Sequence, residues 1–446
     1  MKNIKIAYTN PGKHIFWQES TMDSMDLPEE SKLSVIYPEE TGNVIKGFGG
    51  AFTEAAAHTY FELSEDVREK LIEDLYGESG LRYNMGRIHM NSCDFSLGNY
   101  TYIEEGDTEL KTFDISHDDK EIIPMIDAAS KKLGKQPELI MAPWSPPPFM
   151  KTNGEMNHGG KLKEEYADLW AEYFVKFINE YKKRGYKISY TTIQNEPMAT
   201  QTWDSCIYET KDEANFINKH LGPTFKKAGI LDETKIFVWD HNKEKAYDRI
   251  RDILSEKESN EYVSGCAVHW YSGDHFDALS LIRRKYPAKE IFFTEGCVEY
   301  YKLAGASEVS KAEMYAHQML GNLKGGISAI LDWNLLLDHM GGPNHVGNYC
   351  DAPIMKIKDE DDYERKISYY YIGHFSRFLK PGAKQVVATS YTDKLETLAY
   401  INPDGERVAI VLNKTDEELP VKLKEGKELF AMIMEPHTIK TVRYRV

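Results

Sequence analysis

The 446-residue chain is poor in cysteine, with only Cys93, Cys206, Cys266, Cys297 and Cys350. An odd number with no close-pair spacing excludes a disulfide framework and a zinc knuckle, and leaves reduced thiols as the default. No stretch approaches about twenty consecutive apolar residues, which excludes a membrane-spanning helix. The opening Met1-Lys2-Asn3-Ile4-Lys5-Ile6-Ala7-Tyr8 lacks the apolar core and cleavage site of a secretory leader, so the sequence reads as that of a soluble, cytoplasmic protein. Basic residues are in deficit: 55 Lys plus Arg face 71 Asp plus Glu, a net charge of −16. That balance disfavours a nucleic-acid or acidic-membrane partner and makes a neutral small molecule or oligosaccharide the easier expectation.

Aromatics are plentiful, at 12% of residues with 28 Tyr and 7 Trp. They suit a protein that stacks sugar rings on its side chains, and equally a large core. Strand-like and helix-like segments alternate from about Val44 to Phe378, the pattern of an α/β domain with a parallel sheet. The spacing predicts helices over Ser64 to Tyr76 and over Lys163 to Arg184, where Tyr166, Leu169, Trp170, Tyr173, Phe174 and Phe177 recur at helical period. Short apolar runs predict strands at Val44 to Phe52, Arg82 to Met90, Glu138 to Pro143, Ile188 to Asn195, Lys235 to Asp240, Val263 to Trp270, Ile291 to Glu295 and Gly326 to Asn334. Eight such runs are what a (β/α)8 TIM barrel needs.

After Leu379-Lys380-Pro381-Gly382 the texture changes to short alternating runs broken by turn residues, with a hairpin signal at Asn402-Pro403-Asp404-Gly405. The first forty residues are also β-like. The expected organisation is therefore residues 1–42 as N-terminal strands of a β-sandwich, 43–378 as the catalytic barrel, and 379–446 as the C-terminal part of an attached antiparallel sandwich.

Two of the apolar runs end in a glutamate followed by a chain breaker: Thr191-Thr192-Ile193-Gln194-Asn195-Glu196-Pro197 and Glu290-Ile291-Phe292-Phe293-Thr294-Glu295-Gly296. Taken alone, an Asn-Glu-Pro triplet reads as readily as loop closure. Ninety-nine positions, about three strand-helix units, separate Glu196 from Glu295, which puts both at one mouth of the barrel. Paired carboxylates at strand ends are the groups that glycoside hydrolysis requires: one protonates the leaving oxygen and the other attacks the anomeric carbon from roughly 5 Å away.

Several further motifs occur in order along the chain: Gly47-Phe48-Gly49-Gly50-Ala51-Phe52-Thr53-Glu54-Ala55, Met90-Asn91-Ser92-Cys93-Asp94-Phe95-Ser96, Ala142-Pro143-Trp144-Ser145-Pro146, Lys151-Thr152-Asn153-Gly154, Val268-His269-Trp270-Tyr271 and Asp332-Trp333-Asn334. Together with the two glutamate segments they resemble glycoside hydrolase family 30, nearest its glucosylceramidase branch. The resemblance implies a (β/α)8 barrel with a β-sandwich built from both chain ends, and a retaining double displacement that uses no metal and no cofactor. It implies Glu196 as acid/base and Glu295 as nucleophile. Asp94 and Trp144 become hydroxyl partners of the sugar, Asn195 a partner of its 2-hydroxyl, Tyr271 a neighbour of the nucleophile, Trp333 a sugar-facing wall and Asn348 a rim residue.

These residue types suit those tasks on chemical grounds too. A carboxylate such as Asp94 accepts two hydroxyl donors, an indole offers an apolar face and one N–H, and the Tyr271 hydroxyl can hold a carboxylate ionised. Arg87 reads as an ion pair beneath the nucleophile, structural or functional, and His269 as a core histidine or a hydrogen-bonding neighbour of the site. The Gly47 to Gly50 cluster lacks the Lys-Ser/Thr of a nucleotide loop and reads as close backbone packing. Cys297 has no paired histidine in the sequence, and Asp359 to Asp362 reads as a solvated loop. Gln194 and the segment Met198 to Asp204 depart from the animal branch and resemble microbial members, placing Trp203 where an aglycone or second sugar stacks. The expectation is a retaining β-glycosidase, exo-acting on β-glucosides and serving carbohydrate or sphingolipid metabolism. The alternatives within the family are an endo-β-1,6-glucanase, a β-xylosidase or a β-fucosidase, and the alternative outside catalysis is a carbohydrate-binding barrel that has lost its chemistry.

Overall fold

The computed structural model describes residues 2–303 and 305–446. All eight expected runs form strands: β1 (Gly47–Ala51), β2 (Met85–Met90), β3 (Glu138–Pro143), β4 (Ile188–Thr192), β5 (Lys235–Asn242), β6 (Val263–His269), β7 (Glu290–Glu295) and β8 (Ala329–Asn334). They pair in parallel in chain order, and β8 closes on β1 through Ala329↔Gly47 and its successors to complete the barrel. Helices cover the outside. The helix Ala167–Lys183 buries Trp170, Tyr173, Phe174 and Phe177 on one face, and its first expected turn, Glu164–Tyr166, is a 3-10 turn instead. Ser64 precedes the helix Glu65–Tyr76 as expected, but its hydroxyl makes no cap bond, while its N–H donates to Asp361 at 2.8 Å. The segment Asp359 to Asp362 is exposed.

Period-two alternation fills the barrel in layers. Met85, Ile140, Tyr190, Phe237, Ala267, Phe292, Ala329 and Leu331 form one enclosed apolar cluster. Two residues further along three of these strands, the inward positions turn polar, at Arg87, Thr192 and His269. β1 carries glycines because its neighbours press on it: a Cβ on Gly49 would sit 2.2 Å from the Met85 carbonyl oxygen.

The two chain ends share one nine-stranded sheet, in the order Ile15–Thr21, Lys2–Asn10, Thr438–Arg445, Arg407–Asn413, Leu395–Ile401, Lys384–Ser390, Lys32–Val44, Leu419–Glu425, Glu428–Met434. Pairing is antiparallel except where Lys32–Val44 runs parallel to Leu419–Glu425. Ile6 near one edge and Phe430 at the other share one core with Val411, Leu423 and Val442, so the sheet folds over into a sandwich. The hairpin at Asn402 to Gly405 joins two of these strands, with Gly405 at φ 81°.

Two histidines tie the helix Glu308–Gly325 of the barrel to the sandwich. His317 reaches Glu396 at 2.8 Å and Asp274 at 3.0 Å, with the Lys414 ammonium 3.2 Å from its ring. His437 reaches Glu313 at 2.9 Å and Asp416 at 3.0 Å. The hydrogen bonds to Glu396 and Glu313 raise these imidazoles above their ordinary value. A histidine raised on folding stabilises the protein fully below its unfolded pKa of about 6.5 and loses that contribution as pH rises through the folded value. Thermal melts across that interval are expected to show the midpoint falling less with pH in His317→Gln/His437→Gln than in the wild type; parallel curves would remove the two pairs from the stability balance.

Candidate active site

At the C-terminal end of the barrel, the Arg87 guanidinium on β2 is fully buried and grips three groups. It donates to Glu295 Oε2 at 2.5 Å, to Asp240 Oδ2 at 2.9 Å and to Asn195 Oδ1 at 2.8 Å. Its plane lies against Trp144 and Trp333, with 4.7 and 5.4 Å from its carbon to their ring centres. Asp240 completes a closed set: Thr192 and Thr294 hydroxyls each donate to it at 2.6 Å, and His269 Nε2 faces it at 3.1 Å. Burial alone would raise the Asp240 carboxyl, but Arg87, His269 and the Thr192 hydroxyl hold it well below the usual carboxylate range.

Sequence reading had not singled out Asp240, and a β-bulge explains why. Strict alternation along β5 would turn Trp239, not Asp240, inward. Trp239 and Asp240 instead take φ of 77° and 54°, and the pairing of β5 with β6 slips by one residue between Trp239 and His241. The bulge brings Asp240 to Arg87 and leaves the next residue, His241, in the pocket wall. Sequence carried one signal: a strand run ending in an aspartate beside two polar residues.

Glu196 does not terminate a strand. β4 stops at Thr192, short of the expected Asn195, and the next four residues swing over the barrel mouth. Asn195 N–H bonds the Pro143 carbonyl at 2.8 Å and Glu196 N–H bonds the Asp240 carbonyl at 2.9 Å. Glu196 itself sits at φ 48°, a conformation that glutamate seldom adopts and that these bonds enforce. Its Oε1 lies 3.2 Å from His269 Nδ1 and 3.5 Å from His241 Nδ1. Burial opposes ionisation of Glu196, yet the two histidines pull its pKa down to about 2. His269, resisted by burial but surrounded by Glu295, Asp240 and Glu196, rises to about 9. It is fully buried, yet it bonds both Asp240 and Glu196, so it belongs to the site rather than to an inert core.

Glu295 stands on the other side of His269, its Oε1 at 4.0 Å from the same Nδ1 and accepting from the Tyr271 hydroxyl at 2.8 Å. Burial raises its pKa against the pull of His269 and Arg87. Both carboxylates thus approach one nitrogen, Glu196 at 3.2 Å and Glu295 at 4.0 Å.

Asp94, Trp144, Asn195, Glu196, Trp203, Tyr271, Glu295, Trp333 and Asn348 all line one cavity of about 690 Å³, including its open mouth. Arg87 and His269 form its floor. Trp144 and Trp333 stack at 5.2 Å. Asp94 accepts from Asn348 at 2.9 Å through Oδ2, while its buried Oδ1 has no hydrogen-bond partner. Gln201, His241, Asn242, Glu299 and Lys302 join the lining without having been foreseen. Cys297 also lines it, but burial pushes its thiol well above the ordinary value, away from the thiolate that a nucleophilic cysteine requires. Among the described residues no helix is long and apolar enough to cross a membrane.

Comparison with known proteins agrees with this geometry. Residues 45–379 match the model of the glycosyl hydrolase family 30 TIM-barrel domain, and residues 382–442 that of the family 30 beta sandwich domain. The chain is 33% identical to mouse lysosomal acid glucosylceramidase over 432 residues, covering 93% of this chain and 83% of that protein. It is 28% identical to an endo-1,6-beta-D-glucanase of Neurospora crassa, covering 87% and 83%. Among solved structures, SrfJ from Salmonella typhimurium superposes with a TM-score of 0.95 at 36% identity, covering 99% of each chain. The endo-beta1,6-glucanase BT3312 superposes with a TM-score of 0.89 at 26% identity over the whole of both chains. Two family models end to end, on a barrel whose mouth holds paired glutamates, show that the chain belongs to glycoside hydrolase family 30.

Proposed function

We propose that this glycoside hydrolase is a retaining, exo-acting β-glucosidase with Glu295 as nucleophile and Glu196 as acid/base. The observation that carries the reading is the pair of carboxylates flanking one histidine nitrogen, each held differently. Glu295 has a guanidinium and a phenol donating to its two oxygens, which favours the anion needed for attack at the anomeric carbon. Glu196 instead faces two histidines, and the one bonded to it, His269, can hand it a proton as a guanidinium cannot.

The first step needs a proton on Glu196. Despite burial, the charges around His269 raise its pKa to about 9 while Glu196 is lowered, so the proton rests on His269, one 3.2 Å hydrogen bond away. Filling the cavity with a sugar excludes water and favours the neutral pair, Glu196 protonated and His269 uncharged, over the charged one. Attack by Glu295 then expels the aglycone as Glu196 gives up its proton. In the second step Glu196 takes a proton from water as the water oxygen attacks the anomeric carbon and breaks its bond to Glu295, which releases the sugar with its configuration retained.

In this reading Asn195, held by Arg87, bonds the 2-hydroxyl, and the unpartnered oxygen of Asp94 accepts from another hydroxyl. Asn348 ties the segment 341–349 to Asp94, and His345 ties it to the Ser96 carbonyl at 2.9 Å, anchoring a loop at the Asp94 end of the cavity. That anchored loop supports exo action. Trp203 on the segment after Glu196, and the likeness to two endo-β-1,6-glucanases, favour the second reading, in which a chain of glucose units leaves by the mouth.

Glu295→Ala is expected to abolish turnover of aryl β-glucosides, and added azide to restore it with an inverted glycosyl azide as product. A retained product, or turnover without azide, would reassign the nucleophile. Glu196→Gln is expected to slow glucosides with poor leaving groups by about 10² to 10⁴ and activated aryl glucosides far less; equal losses on both would count against an acid. On a β-1,6-linked glucan the exo reading expects glucose as the sole early product, and oligomers of mixed length would establish the endo alternative. Aryl xyloside, fucoside and galactoside run beside the glucoside identify the sugar accepted.

A further inference from the structure

Three donor atoms converge beside the pocket in a way that proton transfer alone does not require. Glu196 Oε1 lies 3.2 Å from His269 Nδ1 and 3.5 Å from His241 Nδ1, and all three atoms fall within 4.8 Å of one another. A tetrahedral Zn²⁺ with bonds of about 2.0–2.1 Å sets neighbouring ligand atoms roughly 3.3 Å apart, so two of the three edges already have the right length. His269 turns its other nitrogen to Asp240 Oδ1 at 3.1 Å, the carboxylate–imidazole arrangement that orients metal-binding histidines. His241 Nδ1 is a buried nitrogen with no hydrogen-bond partner, facing the same point. Glu196 and His241 both line the cavity, which leaves a fourth position open towards it.

We propose that Glu196, His241 and His269 form a binding seat for a borderline divalent transition cation such as Zn²⁺ or Co²⁺, completed by water from the cavity. Two imidazoles and one carboxylate suit such ions better than Ca²⁺ or Mg²⁺, which prefer all-oxygen cages. An ion there displaces to solvent the proton shared between His269 and Glu196, and occupies the oxygen that would carry it to the leaving group. Inhibition by the ion therefore rests on the acid/base reading of Glu196, whereas binding does not.

Co²⁺ alone, titrated into the metal-free full chain, tests the seat directly. One ion per chain is expected, with a visible ligand-field band, no thiolate-to-cobalt charge-transfer band, and displacement by Zn²⁺. His241→Phe and His241→Asn, checked for wild-type melting, should each weaken binding at least about tenfold. The surface variant His317→Gln/His437→Gln should bind as the wild type does. Absence of the band, unchanged affinity in both His241 variants, or a charge-transfer band from the pocket thiols Cys297 and Cys350 would overturn the proposal. Aryl glucoside assays separate the two readings: a seat that fills through His241 with no loss of turnover stands as a site and counts against Glu196 as the acid.

Discussion

The contact on which the rest of the site depends is the buried ion pair between Arg87 and Asp240. A guanidinium wholly inside a barrel is tolerable only when carboxylates surround it, because removing one partner of a buried pair costs roughly 3–5 kcal/mol. Arg87 is matched on both sides, by Asp240 and by Glu295, and the Nη2 group that bonds Asp240 also orients Asn195. Asp240 in turn fixes the tilt of His269, which bonds Glu196. Both glutamates are thus placed by one rigid polar layer resting on the apolar cluster around Tyr190 and Phe292. The loops above the mouth can vary without disturbing it.

Charge in this layer is shared rather than owned. Arg87 and His269 supply positive charge, and Asp240, Glu196 and Glu295 compete for it. Asp240 competes best, with Arg87, His269 and hydroxyl donors all serving it, which leaves the two glutamates with contrasting and adjustable affinities for a proton. A site with fewer fixed dipoles would need water to do the same work.

Much of this was legible in the sequence because the fold obeys local rules. Eight apolar runs gave eight strands, alternation along β2 carried Arg87 inward beyond Met85, and the motifs around Asp94, Trp144, Tyr271 and Trp333 put those side chains in one cavity. Asp240 and His241 were hidden because a bulge reverses the alternation at that point, and a bulge leaves no mark in composition. The left-handed turn that aims Glu196 was hidden for a similar reason: it is imposed by backbone bonds to neighbouring strands, not by the residue itself. His269 looked like core because burial and function coincide there.

The sandwich has a consequence for how the molecule comes into being. Strand Lys2–Asn10 pairs with Thr438–Arg445, placing Lys5 opposite Arg443, and the strand Lys32–Val44 lies between two strands from the C-terminal segment. Strands from the N-terminal side must therefore wait for strands made about four hundred residues later. A barrel closed by neighbours in chain order can assemble while synthesis continues, but the sheet beside it cannot be completed until the chain is. During that interval the apolar edge at Ile4 and Ile6 has no partner strand from the C-terminus, and it is the part of the newborn protein most in need of protection from other chains.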